Sequence, residues 1–147
     1  MHEISAVVAI EHDARVVAES LGASKIVRSL VDPWYLVPLS GVSVPDLDDD
    51  VELSRLSDLL SPVISKLCGL ALDKPIALVF TQYFGGQGGE AAALIRDSSL
   101  VYGPESFVGA INEALLQLGV PYDDEHDPFE NLGLYKWRSM QSLEGAG

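Results

Sequence analysis

Two acidic runs in this chain contain residue types that could bind a metal ion. The pattern Asp-x-Asp-x-Asp at 46–50 has the spacing of the first three ligands of a calcium loop, but Val51 replaces the required glycine and Ser57 replaces the final glutamate. The run 123–127 (DDEHD) has one histidine and lacks the His or Cys pair of a zinc site. We therefore predict no metal site, and interpret both runs as solvated acidic segments or as contact surfaces for a basic partner.

The glycine-rich turn at 85–89 (GGQGG) separates the apolar runs 75–80 and 91–95. Four glycines in five residues indicate a backbone that needs positive φ or a close approach to another segment. A dinucleotide fingerprint opens a helix and a phosphate-binding loop carries Lys-Ser or Lys-Thr, whereas here the following residues predict a strand. The pattern favours a hairpin turn or a bulge, with a partner-facing loop as the alternative. The candidate partner contacts at this turn are Tyr83, Phe84 and Gln87.

The residues of nucleophilic catalysis form no recognisable pattern. The sequence has no G-x-S-x-G elbow, and its single cysteine, Cys68, lies in a segment with helical periodicity. A lone cysteine forms no internal disulfide and is typical of a small buried hydrophobe in a reducing compartment. We predict no catalytic residues, no cofactor and no enzymatic activity.

The net charge argues against several classes of partner. Asp and Glu total 22 against 9 Lys and Arg, which gives −13 at pH 7. Nucleic acid and anionic membranes would be repelled, because binding to phosphates needs clustered cations, whereas a basic protein would be attracted. No apolar run approaches the roughly 18 residues of a membrane span, and no signal peptide is recognisable. We expect a cytoplasmic protein.

Length and hydrophobic periodicity predict a single α+β domain over residues 1–147, with 144–147 frayed. We expect strands at 4–10, 34–39, 76–83, 90–96 and 100–102, and helices at 14–21, 51–70 and 105–118. Asp13 is expected to cap the first helix and Gly22 to end it. Pro62 is expected to kink or divide the second helix, and Pro104 to open the third.

The arrangement of these elements predicts an antiparallel sheet. Its centre is a meander over about residues 76–102, made of two hairpins joined at the glycine turn and at 97–99. We expect two or three helices to pack on one face of the sheet. The segment 129–137 is apolar enough to dock on the body of the domain.

Four segments together resemble a family of small, acidic, single-domain bacterial proteins. The shared features are a Tyr-Phe-Gly-Gly-x-Gly turn and a late Phe-x-x-Leu-Gly-Leu segment, and the resemblance covers about the last three quarters of the chain. In size and charge this family is similar to immunity proteins, which bind and neutralise a toxin domain. The segments that carry the resemblance are 34–39 (WYLVPL), 82–88 (QYFGGQG), 111–115 (INEAL) with 118–120 (LGV), and 127–134 (DPFENLGL).

Two functional hypotheses follow. The first is a protein-binding, immunity-type inhibitor that occludes a basic toxin domain, such as a nuclease, with acidic rim residues and aromatic anchors. The alternative is a small-molecule-binding domain or enzyme with a pocket near the glycine turn; a homo-oligomer with a structural role is a third interpretation. Besides the three residues at the glycine turn, the candidate partner-binding residues are Asp48, Asp49, Asp50, Tyr122, Asp123, Asp124, Glu125 and Asp127.

Overall fold

A six-stranded antiparallel sheet forms the middle of the domain, with strand order β2-β3-β1-β4-β5-β6. The strands are β1 (His2–Ile10), β2 (Val27–Arg28), β3 (Trp34–Pro38), β4 (Ile76–Phe84), β5 (Gln87–Arg96) and β6 (Ser99–Glu105). The helices are α1 (Glu11–Leu21), α2 (Leu53–Cys68), α3 (Ala110–Leu118), α4 (Pro128–Leu132) and α5 (Met140–Glu144), with a 3-10 turn at Leu134–Lys136. This computed structural model describes residues 1–23, 25–42, 44–47, 52–85 and 87–146.

Helices cover both faces of the sheet. In β1, Ile4, Ala6 and Val8 belong to one core and Val7 and Ala9 to the other, and all five are fully buried. The helices α1 and α2 pack on one face, while α3, α4 and α5 pack on the other. The α+β class is confirmed, but the expectation of helices on one face is wrong. Near-continuous apolar runs such as that of β1 indicate a strand buried on both sides.

The central meander is confirmed as β4, β5 and β6, each paired with the next. Phe84 at the end of β4 pairs directly with Gln87 at the start of β5, so the connection is a two-residue hairpin. Gly85 has φ of +58°, as a tight hairpin turn requires. Gly88 and Gly89 lie beyond the turn, inside β5.

The prediction that Pro104 opens a helix is wrong. Pro104 lies in β6, next to a register shift between Ala92 and Leu94 of β5, and α3 begins only at Ala110. An edge strand tolerates proline because only one of its sides is hydrogen-bonded to a neighbour, and a bulge tolerates it as well. Val108, which lies within the helix predicted at 105–118, is therefore outside α3 and 86% exposed.

The predicted cap of α1 is also wrong. The helix starts at Glu11, which places Asp13 inside the first turn, and Ile10 at the cap position. Gly22 ends α1 in the left-handed conformation, as predicted. The longest helix, α2, continues through Pro62 as one element.

The C-terminal segment docks on the sheet as predicted. Leu132, Leu134, Trp137 and Leu143 are buried in the core beneath α3, α4 and α5. Cys68 is half-buried against the opposite core. Within the described part of the chain, no helix has both the length and the apolarity to cross a bilayer.

Candidate interaction surface

The carboxylate of Glu90 joins the glycine hairpin to the start of α3. Glu90 Oε1 accepts a hydrogen bond from the Gly109 N–H at 2.8 Å, and Oε2 accepts one from the Ile111 N–H at 3.3 Å. The Ser106 hydroxyl donates to the Glu90 backbone carbonyl at 3.0 Å. An acidic group at this position satisfies N–H groups that a helix N-terminus leaves without partners, and it interacts favourably with the helix dipole. The loop 106–109 is thereby held against β5.

Tyr83 reaches the same carboxylate from the neighbouring strand. Its hydroxyl donates to Glu90 Oε1 at 3.3 Å. Burial, together with the negative charge of Glu90, raises the pKa of Tyr83 to about 12. Tyr83 is thus half-buried and held by an internal hydrogen bond.

The other two predicted contacts at the hairpin lie on the opposite face of the strands. Side chains alternate along a strand, so Phe84 points away from the face that Tyr83 occupies. Phe84 and Gln87 are directly paired, and both are exposed. The three residues therefore do not form one continuous contact surface at the hairpin tip.

The loop after α3 is shaped by two of its own carboxylates. Asp123 Oδ1 accepts hydrogen bonds from the N–H groups of Glu125 and His126, at 2.8 and 2.7 Å, and these bonds lower the pKa of the Asp123 carboxyl. Asp127 caps α4 by accepting from the Glu130 N–H at 2.8 Å.

The remaining predicted residues of this loop point outward. Tyr122 is 66% exposed, and Asp124 and Glu125 are exposed as well. The loop is tied back to α3, because the Asn112 side chain donates to Asp127 Oδ2 at 3.1 Å. Asp48, Asp49 and Asp50 lie outside the described residues.

Residues 97–135 form a surface rich in acidic groups, which we call the acidic face; Arg96 lies at its margin, where the guanidinium donates to the Gln117 carbonyl of α3 at 3.3 Å. This stretch contains eight Asp and Glu and no Lys or Arg. It comprises β6, α3, α4 and the loops between them. The absence of basic residues over this whole stretch is visible in the sequence, although the short acidic runs 46–50 and 123–127 are more conspicuous. The large apolar side chains that it exposes on α3 and the flanking loops are Phe107, Val108, Leu116 and Tyr122.

The structure brings part of the predicted set together on this face. Tyr122 and the four predicted acidic residues of 123–127 belong to it, and Tyr83 contacts its edge through Glu90. Phe107 and Val108 were not predicted as contacts, because the periodicity placed them in a helix.

Elsewhere among the described residues, three side chains of the types that bind metal ions lie close together. His12, Asp13 and Asp73 have donor atoms within 4.8 Å of one another. Both oxygens of the buried Asp13 carboxylate accept backbone hydrogen bonds, from the N–H groups of Asp73 and Lys74, each at 2.9 Å. Asp13 therefore acts as a structural acceptor that fixes the segment before β4.

The cavities are placed away from the glycine turn. Four cavities formed by the described residues have volumes from about 40 to about 690 Å³, and none of these four is lined by residues 85–89. The largest lies beside β2 at one edge of the sheet.

Comparisons with known proteins give no family for this chain. Its sequence matches no protein-family model, and neither a curated protein nor a solved structure matches it. The resemblance to small acidic bacterial proteins stays a prediction. Function is therefore inferred from the surface and the buried groups of this chain.

Proposed function

We propose that this protein binds a basic protein domain through its acidic face. The observation that carries the proposal is the excess of acidic residues in 97–135, a stretch that contains eight Asp and Glu and no Lys or Arg. A surface with a large excess of negative charge steers a positively charged partner and accelerates association. It also rejects partners of its own sign.

The acidic face also exposes apolar side chains, which can contribute affinity for a bound partner. Val108 is 86% exposed, Tyr122 66%, Phe107 49% and Leu116 42%. Affinity in protein interfaces comes mainly from a few anchors that become desolvated, with charged groups at the rim. Phe107 and Val108 lie on a loop that the Glu90 carboxylate fixes, so ordering them costs little conformational entropy.

The mode of action that fits best is occlusion of a cationic functional surface. A domain that acts on nucleic acid presents Lys and Arg to phosphates, and a face rich in carboxylates would cover those cations. The predicted resemblance to a family that is similar to immunity proteins makes a toxin domain of this type the first partner to test. We propose an immunity-type inhibitor, in which docking blocks the toxin's substrate site by steric and electrostatic means.

The test compares partner capture by the native protein and by two charge variants. Asp124→Lys/Glu125→Lys reverses two exposed charges on the acidic face, and Glu19→Lys/Asp58→Lys makes the same charge change at exposed sites on α1 and α2. We expect a basic partner to be captured from the native host by the native protein and by the α1/α2 variant, and to be lost with the face variant. Equal loss with both variants would contradict a specific face.

The captured partner then allows a kinetic and a functional measurement. Its association rate should fall at least about tenfold between about 50 mM and about 500 mM salt, because screening shortens the range of attraction. Its toxic activity should be neutralised by the native protein and by the α1/α2 variant, and not by the face variant. A rate that does not change with salt would contradict electrostatic steering, and neutralisation by the face variant would contradict the inhibitory role.

A further inference from the structure

A cleft lined by positively charged side chains lies at the β2 edge of the sheet. It has a volume of about 690 Å³ and opens beside β2, where α1, β3 and the C-terminal segment meet. The side chains that matter here are Arg15, Lys25, Arg28, Lys136, Tyr35 and Trp137.

Four of the nine Lys and Arg of this acidic protein line the cleft. Glu11 is the acidic residue among the lining side chains, and Asp32 pairs with Arg28 just outside it. Cations gathered in a concave site focus a positive potential there, even when the net charge of the molecule is −13. The cleft is therefore suited to an anion.

The four cations are held in place by weak interactions. Arg28 pairs with Asp32 at 2.8 Å, Arg15 lies 3.8 Å from Glu11, and in both pairs the side chains are about half or more exposed. Exposed pairs of this kind contribute only about 0–1 kcal/mol. An anion with two or more charges can therefore compete for these guanidinium groups.

The two lysines enter from other parts of the chain. Lys25, in the segment before β2, donates to the backbone carbonyl of Ala146. The Lys136 ammonium lies 5.2 Å from the centroid of the Trp137 ring. The positive charges of the cleft thus come from α1, from the β2 region and from the C-terminal segment, which converge only in the folded chain.

The geometry points to a small phosphorylated organic molecule as the ligand, and we propose this cleft as its binding site. Guanidinium forks match phosphate oxygens in bidentate fashion, and lysine adds point charges. The volume lies in the range of about 300–1,000 Å³ that is typical of small-molecule sites. Tyr35 gives the wall an aromatic part against which an organic group can pack, beside the edge of the largely buried Trp137.

The size of the ligand follows from the surrounding charge. A nucleic acid or an acidic protein would extend beyond the four cations and meet the repulsion of the acidic remainder of the surface. A small anion stays within the Debye length, about 8 Å at physiological salt, of the cations themselves. The proposal is independent of the acidic face and of any protein partner.

Calorimetry with ADP, inorganic pyrophosphate and adenosine tests the proposal on the full chain without added metal. We expect ADP and pyrophosphate to bind with dissociation constants below about 1 mM, and adenosine to bind at least about tenfold more weakly. No binding of either phosphate compound at about 1 mM would overturn the proposal. Equal binding of adenosine and ADP would overturn the assignment to phosphate.

Matched variants locate the site. Arg15→Gln/Lys136→Gln removes two cleft cations and should weaken ADP binding at least about tenfold, whereas Lys66→Gln/Lys74→Gln removes two exposed cations elsewhere and should change it less than about twofold. Equal weakening by both pairs would overturn a specific cleft. In the native protein, ADP should shift the amide NMR signals of residues 25–28 and 136–137 and leave those of α2 unchanged; the reverse pattern would also overturn the proposal.

Discussion

The backbone carbonyl of Leu47 lies directly over Gly89, so that a Cβ atom at position 89 would be 2.3 Å from the carbonyl oxygen. The N–H of Leu47 donates to Gln82 Oε1 at 2.8 Å, which fixes the segment 44–47 across the hairpin of β4 and β5. Leu47 itself is buried among the side chains beneath α2. Glycine at position 89 thus permits the approach of another segment, while Gly85 permits the turn itself.

Gly89→Ala should destabilise the protein by about 1–3 kcal/mol, because either the segment 44–47 or β5 must move. Gly69→Ala is the matched control, since its new Cβ would lie 3.4 Å from the nearest atom and its φ is not positive. Urea unfolding of both variants measures the difference. A Gly89→Ala variant as stable as Gly69→Ala would show that the contact with Leu47 is not tight in solution.

Asp13→Ala should cost about 2–4 kcal/mol, because two N–H groups of the segment 73–74 lose a charged acceptor inside the protein. Asp13→Asn keeps one acceptor oxygen and should cost less. Glu19→Ala, an exposed acid on the same helix, should stay within about 0.5 kcal/mol of the native protein. Denaturant titration at neutral pH ranks the three; equal stability of Asp13→Ala and Glu19→Ala would contradict this role of Asp13.

Stability should fall as the pH rises between about 10 and about 12. Burial raises the pKa of Tyr83 and of Tyr102 to about 12 in the folded chain, above the usual value near 10. Below pH 10 both phenols are protonated in the folded and the unfolded chain, and their contribution to the free energy of unfolding is fully present. Above pH 10 the unfolded chain releases these protons first and becomes relatively more stable.

Tyr83→Phe should therefore reduce the loss of stability at alkaline pH, and Tyr83→Phe/Tyr102→Phe should reduce it further. The measurement compares urea midpoints at about pH 9 and about pH 11.5. Tyr122→Phe, at a side chain 66% exposed, serves as the control. A pH dependence that is the same in the native protein and in the double variant would show that these two phenols do not cause it.

Phe107→Ser and Val108→Ser should weaken binding of the captured basic partner at least about tenfold each, if these side chains are anchors on the acidic face. Val108→Ser should change the stability of the free protein by less than about 0.5 kcal/mol, because the side chain is 86% exposed. Leu59→Ser, an exposed apolar residue on α2, is the control for binding. Unchanged affinity in both loop variants would place the contact surface elsewhere.

Some features of the site could be predicted because they depend on neighbouring residues. The order of β4, β5 and β6 follows from short turns, since strands joined by two or three residues must pair with each other. The outward position of Tyr122, Asp124 and Glu125 follows from a polar run flanked by proline and apolar residues. Pro104 shows the limit: the same residue can start a helix or lie in an edge strand, and only pairing with β5 decides which.

The sequence alone determined the α+β class, the central meander, the docking of the C-terminal segment and the acidic character of the chain, because local periodicity, turn residues and composition specify these properties. The tertiary structure decided which carboxylates are internal acceptors: Asp13 for the segment 73–74 and Glu90 for α3. It also decided that the cations of α1, the β2 region and the C-terminal segment meet in one cleft. These relationships join residues that are distant in the sequence. Their separation in space depends on how the helices pack on both faces of the sheet, and a local sequence pattern does not specify that packing.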